Sequence, residues 1–250
     1  MTLLSLRDLS VTLRGRPVFS GVTLNIGAGE MVGLIGPNGA GKTTLMRAAL
    51  GLLDHDGQSS LAALDPRARA RAVAWMPQAR EIAWPVTVEA LVTLGRTPHR
   101  ARRLTEADHH AVDRAIDWMG LSQMRQRTAT RLSGGEQARV LIARALAQDT
   151  PLVMADEPIA GLDPAHQIAT METFAGLARS GRSVLVSLHD LGLAARHCSR
   201  LILLGQGRVM ADGTPAKVLT PELVAQAFGI TAYQAETDQG RIFQPLEVLE

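Results

Sequence analysis

The chain has 250 residues, 46% of them hydrophobic, which suits one large domain with a sizeable core. Its 26 Lys+Arg against 24 Asp+Glu leave a net charge of only +2, which does not argue for wholesale nucleic-acid binding; the pI near 9.2 reflects arginine, since only Lys42 and Lys217 are lysine. A single cysteine, Cys198, excludes an internal disulfide and a multi-cysteine metal site; with no leader pattern and no apolar run near the ~20 residues of a membrane span, a cytoplasmic chain is expected, reaching a membrane only through a partner or at its surface.

Leu9–Leu13 and Val22–Ile26 alternate apolar and polar residues around Arg14-Gly15-Arg16-Pro17, which predicts antiparallel strands joined by a turn. Gly27–Glu30 then turns into Met31–Ile35, a short apolar run of the buried-strand kind. Next comes Gly36-Pro37-Asn38-Gly39-Ala40-Gly41-Lys42-Thr43-Thr44, followed by Leu45–Leu50, a helix pattern that stops near Gly51. Strand, glycine-rich turn and helix in that order fit the Walker A pattern G-x-x-x-x-G-K-[ST]. The glycines let backbone N–H groups curl toward an anion, and the helix behind adds its positive dipole end. Lys42 is placed to reach β- and γ-phosphates, and the Thr43 hydroxyl to take one Mg²⁺ position. A flexible loop with a chance lysine meets the same four positions in roughly one chain of this length in a hundred.

Asp54–Leu64 is polar and short; Asp65 then caps, and Pro66 opens, a small helix that leads to the apolar strand Val73–Met76 and to Pro77-Gln78. Residues 79–148 turn helical. Thr87–Leu94 is one helix, closed by Gly95; Thr105 caps another, with Val112, Ala115, Ile116 and Met119 at helical spacing until Gly120. This stretch reads as a helical lobe inserted into a strand-rich core. It ends in Leu132-Ser133-Gly134-Gly135-Glu136, where Ser133 and Glu136 form a capping box for a helix running through Val140, Leu141, Ala143 and Leu146. A capped helix alone does not account for two glycines in its first turn, which cost roughly 1 kcal/mol each against alanine. Bare N–H groups beside a serine at a helix start make a second phosphate-binding surface, far from the first in chain order.

Leu152–Ala155 and Ser183–Leu188 restore the strand pattern around a helix at about Ala165–Ala178, fitting a parallel sheet covered on both faces. A hairpin follows, Leu201–Leu204 and Arg208–Met210 turning at Gly205-Gln206-Gly207; a last helix starts at Thr220-Pro221-Glu222 and stops at Gly229, and the final twenty residues carry no readable pattern. Three buried strands thus end at chemistry: Met31–Ile35 at the phosphate loop, Leu152–Ala155 at Asp156-Glu157, and Ser183–Leu188 at His189. Ligands of open α/β sheets bind beyond strand carboxyl ends, so all three groups can converge on one nucleotide. Asp156 reads as a Walker B acid helping to hold Mg²⁺, Glu157 as a general base toward water, and His189 as a γ-phosphate contact. His99, His109, His110 and His197 lack that context and read as surface residues, and Arg96, Arg100, Arg102 and Arg103 as a solvated face, with anionic headgroups as the alternative.

Gly36–Thr44, Gln78, Leu132–Glu136, Leu152–Glu157, Gly161-Leu162-Asp163 and His189 resemble, in order and spacing, the motif set of ATP-binding cassette (ABC) ATPases, over nearly the whole chain. The resemblance implies an α/β fold: a P-loop NTPase core with a parallel sheet flanked by helices, an N-terminal antiparallel β lobe and an inserted helical lobe. On that division residues 1–78 and 149–215 form the core, 79–148 the helical lobe with the signature, and 216–250 a C-terminal helix and tail. It implies ATP and Mg²⁺ as cofactors and a head-to-tail homodimer, in which Ser133, Gly134 and Gly135 serve the ATP of the opposite subunit and Asp163 lies at the seam. It implies that Gln78 links Mg²⁺ and γ-phosphate to the helical lobe. In place of the aromatic residue that such proteins usually stack on adenine stands Leu13, with Arg14 and Arg16 nearby.

A cassette without a membrane span resembles the ATPase subunit of an importer, bound to integral membrane permease subunits on the inner face of the membrane and served indirectly by an extracytoplasmic substrate-binding protein. Val73–Gln78, Trp84-Pro85-Val86-Thr87-Val88-Glu89, Leu94–His99, Gly213-Thr214-Pro215 and Val218-Leu219-Thr220 look like importers of iron-siderophore, haem or cobalamin; importers of zinc, manganese or molybdate are the near alternatives. The resemblance makes Arg80–Val88 the surface facing the permease, with Trp84 reading equally as core packing. A soluble cassette acting on nucleic acid or ribosomes is the alternative from another class, disfavoured by one cassette, one cysteine and no heptad run. A nucleotide-binding structural protein without turnover is disfavoured by Glu157 and His189.

Overall fold

A computed structural model describes residues 1–78, 81–99, 103–238 and 240–249. Period-two alternation in the N-terminal stretch yields two long antiparallel strands, β1 (Thr2–Leu13) and β2 (Arg16–Gly27). They precede β3 (Met31–Ile35), α1 (Lys42–Ala49), β4 (Asp56–Ser59), α2 (Pro66–Ala72) and β5 (Val73–Met76). The polar segment after α1, which gives no strand signal in the sequence, supplies β4; it pairs with the free side of β1 and makes a three-stranded sheet in the order β2-β1-β4. Asp65 caps α2 as expected, its carboxylate accepting from the Arg67 and Ala68 N–H groups.

Between residues 81 and 148 the described chain is built of helices: α3 (Val88–Thr93), a 3-10 turn Leu94–His99, α4 (Glu106–Trp118), two further 3-10 turns and α5 (Gly134–Ala147). Thr87 caps α3 through the Ala90 N–H, while Thr105–Asp108 and Ser133–Glu136 form full capping boxes on α4 and α5. The remaining elements are β6 (Leu152–Asp156), α6 (Pro164–Arg179), β7 (Ser183–Ser187), α7 (Leu191–His197), β8 (Arg200–Gly205), β9 (Arg208–Gly213), α8 (Pro215–Val218), α9 (Pro221–Phe228), β10 (Ile230–Thr237) and β11 (Gly240–Val248). Helix α7 and the β10–β11 hairpin are absent from the sequence expectations. The hairpin reads as mixed because Phe243 alone on β11 is buried.

The central sheet runs β5-β6-β7-β3-β8-β9, parallel except for β9, which lies antiparallel on β8. Its strands are apolar on both faces because both are covered. Val32, Leu34, Leu152, Met154, Leu185, Ile202 and Leu204 face the antiparallel sheet and α1. Their neighbours Met31, Ile35, Val153, Ala155, Val184, Val186, Leu201 and Leu203 share one continuous core with Val112, Ile116, Val140 and Leu146 of the helical segment. That core therefore runs unbroken from the sheet into residues 81–148. Strands β6, β7 and β3 are immediate neighbours, so their carboxyl ends deliver Asp156, Ser187 and Gly36 side by side.

Some local expectations are corrected. Arg96 is 6% exposed and paired with buried Asp108, so it belongs to no solvated face; Arg103 is exposed, and Arg100 and Arg102 lie outside the described residues. His99 is half-buried on the Gln148 carbonyl, and His197 is half-buried with Nε2 lacking a partner, its pKa lowered by that burial; neither is a plain surface residue. Trp84 is 72% exposed, which excludes core packing. Among the described residues no helix is long and apolar enough to cross a membrane.

Candidate functional site

Beyond the carboxyl ends of β3, β6 and β7 opens a cleft of about 400 Å³ lined by Asn38–Thr44, Gln78, Glu157, His189 and Val18. The loop from Gly36 to Gly41 reaches it through backbone conformations that need glycine. Gly36 has φ +151° and passes so close to β8 that a Cβ would stand 2.1 Å from the Leu204 carbonyl oxygen. Gly41, at φ +95°, starts α1 with no side-chain cap, leaving the first-turn N–H groups of α1 directed at the cleft. Lys42 is 6% exposed; its Nζ donates to the Gly36 carbonyl at 2.7 Å and to the Pro37 carbonyl at 3.1 Å, folding the loop around the charge. Burial lowers the Lys42 pKa, while the Glu157 and Asp156 carboxylates push it back up.

Glu157 is the centre of the second wall. Its Oε2 accepts from Gln78 Nε2 at 2.8 Å, its Oε1 meets His189 Nε2, and its backbone N–H donates to Ser187 Oγ at 2.9 Å. The residue sits at φ +49°, a strained conformation for a non-glycine, which re-aims its side chain after the extended strand β6. Asp156, one residue earlier, points the other way and is fully buried. Its Oδ1 accepts from Ser187 Oγ at 2.5 Å, and its Oδ2 has no hydrogen-bond partner. One serine hydroxyl thus sets two adjacent acids, donating to one and accepting from the backbone of the other.

Of the sequence-expected residues, Asn38, Gly39, Ala40, Gly41, Lys42, Thr43, Thr44, Gln78, Glu157 and His189 meet in this cleft; Gly36 and Pro37 begin its loop and Asp156 lies buried beside it. Ser133, Gly134, Gly135 and Asp163 do not line it. Ser133 Oγ accepts from the Glu136 N–H at 3.3 Å and Glu136 Oε2 from the Ser133 N–H at 2.7 Å; that bond holds the Glu136 pKa down. Asp163 caps α6, accepting from the His166 N–H at 3.0 Å, which lowers its own pKa. Leu13 stays outside the cleft; Val18 is among its lining residues. Sequence reading misses Ser187 and Val18. A polar residue inside an otherwise apolar buried run was the available signal for Ser187, and none marked Val18.

The family model described as ABC transporter matches residues 19–160, more than half of the chain. The chain belongs to the ABC transporter family. It is 43% identical over 232 residues to the cobalamin import ATP-binding protein of Halobacterium salinarum, covering 90% of this chain and 58% of that relative, which is thus considerably longer. It is 42% identical over 241 residues to the hemin import ATP-binding protein of Pseudomonas aeruginosa, covering 91% of this chain and 93% of the relative. A chain from a metal-chelate type ABC transporter in an inward-facing conformation superposes with a TM-score of 0.85 over 99% of this chain and 98% of its own, at 24% identity, a likeness of fold. As a cassette of this family the chain binds ATP.

Proposed function

We propose that this chain is the ATP-hydrolysing subunit of an importer, working as a head-to-tail homodimer beneath membrane permease subunits. The observation that carries the reading is the division of phosphate-binding parts. Lys42, Gln78, Glu157 and His189 share one cleft, while the surface Ser133–Gly135 stands away from it, with Ser133 and Gly134 exposed and Gly135 half-buried. Nothing lies within 4 Å of a Cβ built on Gly134, and Gly135 would meet only Leu162 at 3.8 Å. Packing within the chain therefore leaves these two glycines unexplained, and the close approach of a second copy's nucleotide explains them. In this reading Glu157 takes the proton of an attacking water, with Gln78 and Ser187 holding its carboxylate and backbone and His189 beside it; Asp163 lies at the seam between copies.

The residues present also fit a magnesium ion. A buried carboxylate oxygen without a partner, as on Asp156, is satisfied by a cation or its water, and the Thr43 hydroxyl and Gln78 amide oxygen are among the oxygen donors that line the cleft. Asp156, Thr43 and Gln78 would hold it, and it would neutralise charge on the transferring phosphoryl group.

For the partner, Trp84 supports the 80–88 loop, of which Arg80 lies outside the described residues, as the permease contact: Ile82 and Val86 pack against the core while Trp84 between them is exposed. The substrates named for the cobalamin and hemin import relatives, with the 73–99 and 213–220 likenesses, favour a metal chelate or haem-like cargo such as an iron-siderophore, haem or cobalamin, handed over by an extracytoplasmic binding protein. Glu157→Gln is the test. It keeps the hydrogen-bond geometry without a base, so ATP binding persists, a dimer accumulates with ATP, and hydrolysis falls by about 10²–10⁴-fold. Hydrolysis at the wild-type rate would overturn the base assignment.

A further inference from the structure

The buried cluster around Arg96 lies outside the ATP cleft and has no part in the chemistry described above. Its guanidinium donates through Nε to Asp108 Oδ1 at 2.8 Å and through Nη1 to the carbonyls of Ala147 at 2.8 Å and Gln148 at 3.3 Å. Those carbonyls are the orphan acceptors at the C-terminal, negative end of α5. His99 Nε2 meets the Gln148 carbonyl at 2.8 Å, and Thr105 secures Asp108 through its backbone N–H and hydroxyl, each at 2.8 Å. Gly95 lets the 3-10 turn lie against α5: a Cβ there would stand 2.2 Å from the Arg144 carbonyl oxygen.

Two connections leave this cluster. One is α5 itself, 14 residues and so about 21 Å long, whose far end is the Ser133–Gly135 surface. The other is the Gln148 amide, which donates to the Ala70 carbonyl at 2.6 Å and the Val73 carbonyl at 3.0 Å, at the start of β5. Strand β5 runs from there to Met76, two residues before Gln78, whose amide holds Glu157. Helix α5 is therefore held at its C-terminal end beside the strand that leads to Gln78, and carries the Ser133–Gly135 surface at its other end.

We propose that Arg96 is a positioning residue for ATP hydrolysis: by holding the C-terminal carbonyls of α5, where the Gln148 amide bonds the start of β5, it sets where the Ser133–Gly135 surface stands relative to Gln78. This rests on the reading that Ser133–Gly135 completes the ATP site of a second copy. Arg96 touches no nucleotide; it acts through α5. A buried ion pair broken on one side leaves an uncompensated charge and destabilises the fold, whereas removing both charges together spares it.

The test uses the full chain with Arg96→Met and Asp108→Asn combined. Affinity for a fluorescent ATP analogue stays within about twofold of wild type because the cleft is untouched, while kcat falls by about tenfold or more. In the Glu157→Gln background, the ATP concentration needed for dimer formation, read by light scattering, rises by about tenfold or more. A lowered melting temperature with kcat per folded molecule unchanged would show a packing role alone and overturn the proposal. So would ATP-driven dimerisation as tight as that of Glu157→Gln by itself, or a loss of nucleotide affinity that matches the loss of kcat. If Glu157→Gln alone fails to dimerise with ATP, the composite-site reading falls, and this inference with it.

Discussion

The two glycine-rich segments Gly36–Thr44 and Ser133–Gly135 are built on opposite physical terms. In the Gly36–Thr44 loop the glycines are demanded from inside: Gly36 is pressed against the Leu204 carbonyl, Gly41 against Val18, and Lys42 is bonded back onto the loop. At Ser133–Gly135 no such demand exists; Gly134 has open space around it and Ser133 is engaged only in its own capping box. The first surface is finished within one chain. The second is a helix start whose composition makes sense only against something that arrives from outside. On the function proposed above, a site split in this way ties hydrolysis to the meeting of two copies.

The largest effect expected from that comparison is complementation. Ser133→Arg blocks the outward surface and Lys42→Ala empties the inward one, so each variant alone loses hydrolysis by about a hundredfold or more. Mixed, they pair so that one of the two sites joins an intact phosphate loop to an intact Ser133–Gly135. Random pairing and independent sites put recovery near a quarter of the wild-type rate. A mixture no more active than the sum of its parts, measured by phosphate release, would break the composite-site reading.

A smaller effect separates the glycines themselves. Gly36→Ala forces the loop off Leu204 and adds strain at a positive φ, of the order of 1–3 kcal/mol, so both melting temperature and nucleotide binding fall. Gly134→Ala meets no neighbour and gains helix propensity, at most about 1 kcal/mol, so the isolated chain is as stable or slightly more so while ATP-driven dimerisation weakens. Melting curves and light scattering on the two variants check it. Equal destabilisation by both would erase the distinction.

The sequence shows the inward surface almost completely, because its strands are continuous apolar runs and its turn carries the Gly-x-x-x-x-Gly-Lys spacing. Helix starts at Asp65, Thr87, Thr105, Ser133 and Thr220 are equally legible, since each cap acts within three residues of its own position. What escapes is set by distant contacts. Arg96 among other arginines looks solvated, and only the fold brings it to Asp108 and to the end of α5. The left-handed backbone of Glu157 leaves no compositional trace, and β10–β11 buries too little to show a pattern. The helical segment reads as a separate lobe from its period, yet its apolar side continues the core of the sheet.

A further expected effect concerns the C-terminal end of α5 and its dependence on pH. The Thr105 N–H, aided by the Arg96 guanidinium and the Thr105 hydroxyl and opposed by burial, holds the Asp108 carboxyl from its ordinary 3.8 down to about 2. The unfolded chain therefore takes up this proton at a higher pH than the folded one. The stability contributed by the Asp108 carboxylate is fully present above pH 3.8 and is lost progressively as pH falls through about 2. Asp108→Asn melts below wild type near neutral pH, because Arg96 then lies buried without its counter-charge. As pH falls from 3.8 toward 2 the gap between the two melting temperatures narrows, wild type losing what the variant never had. A gap that stays constant through that range would mean that Asp108 holds the end of α5 by shape, with its charge playing no part.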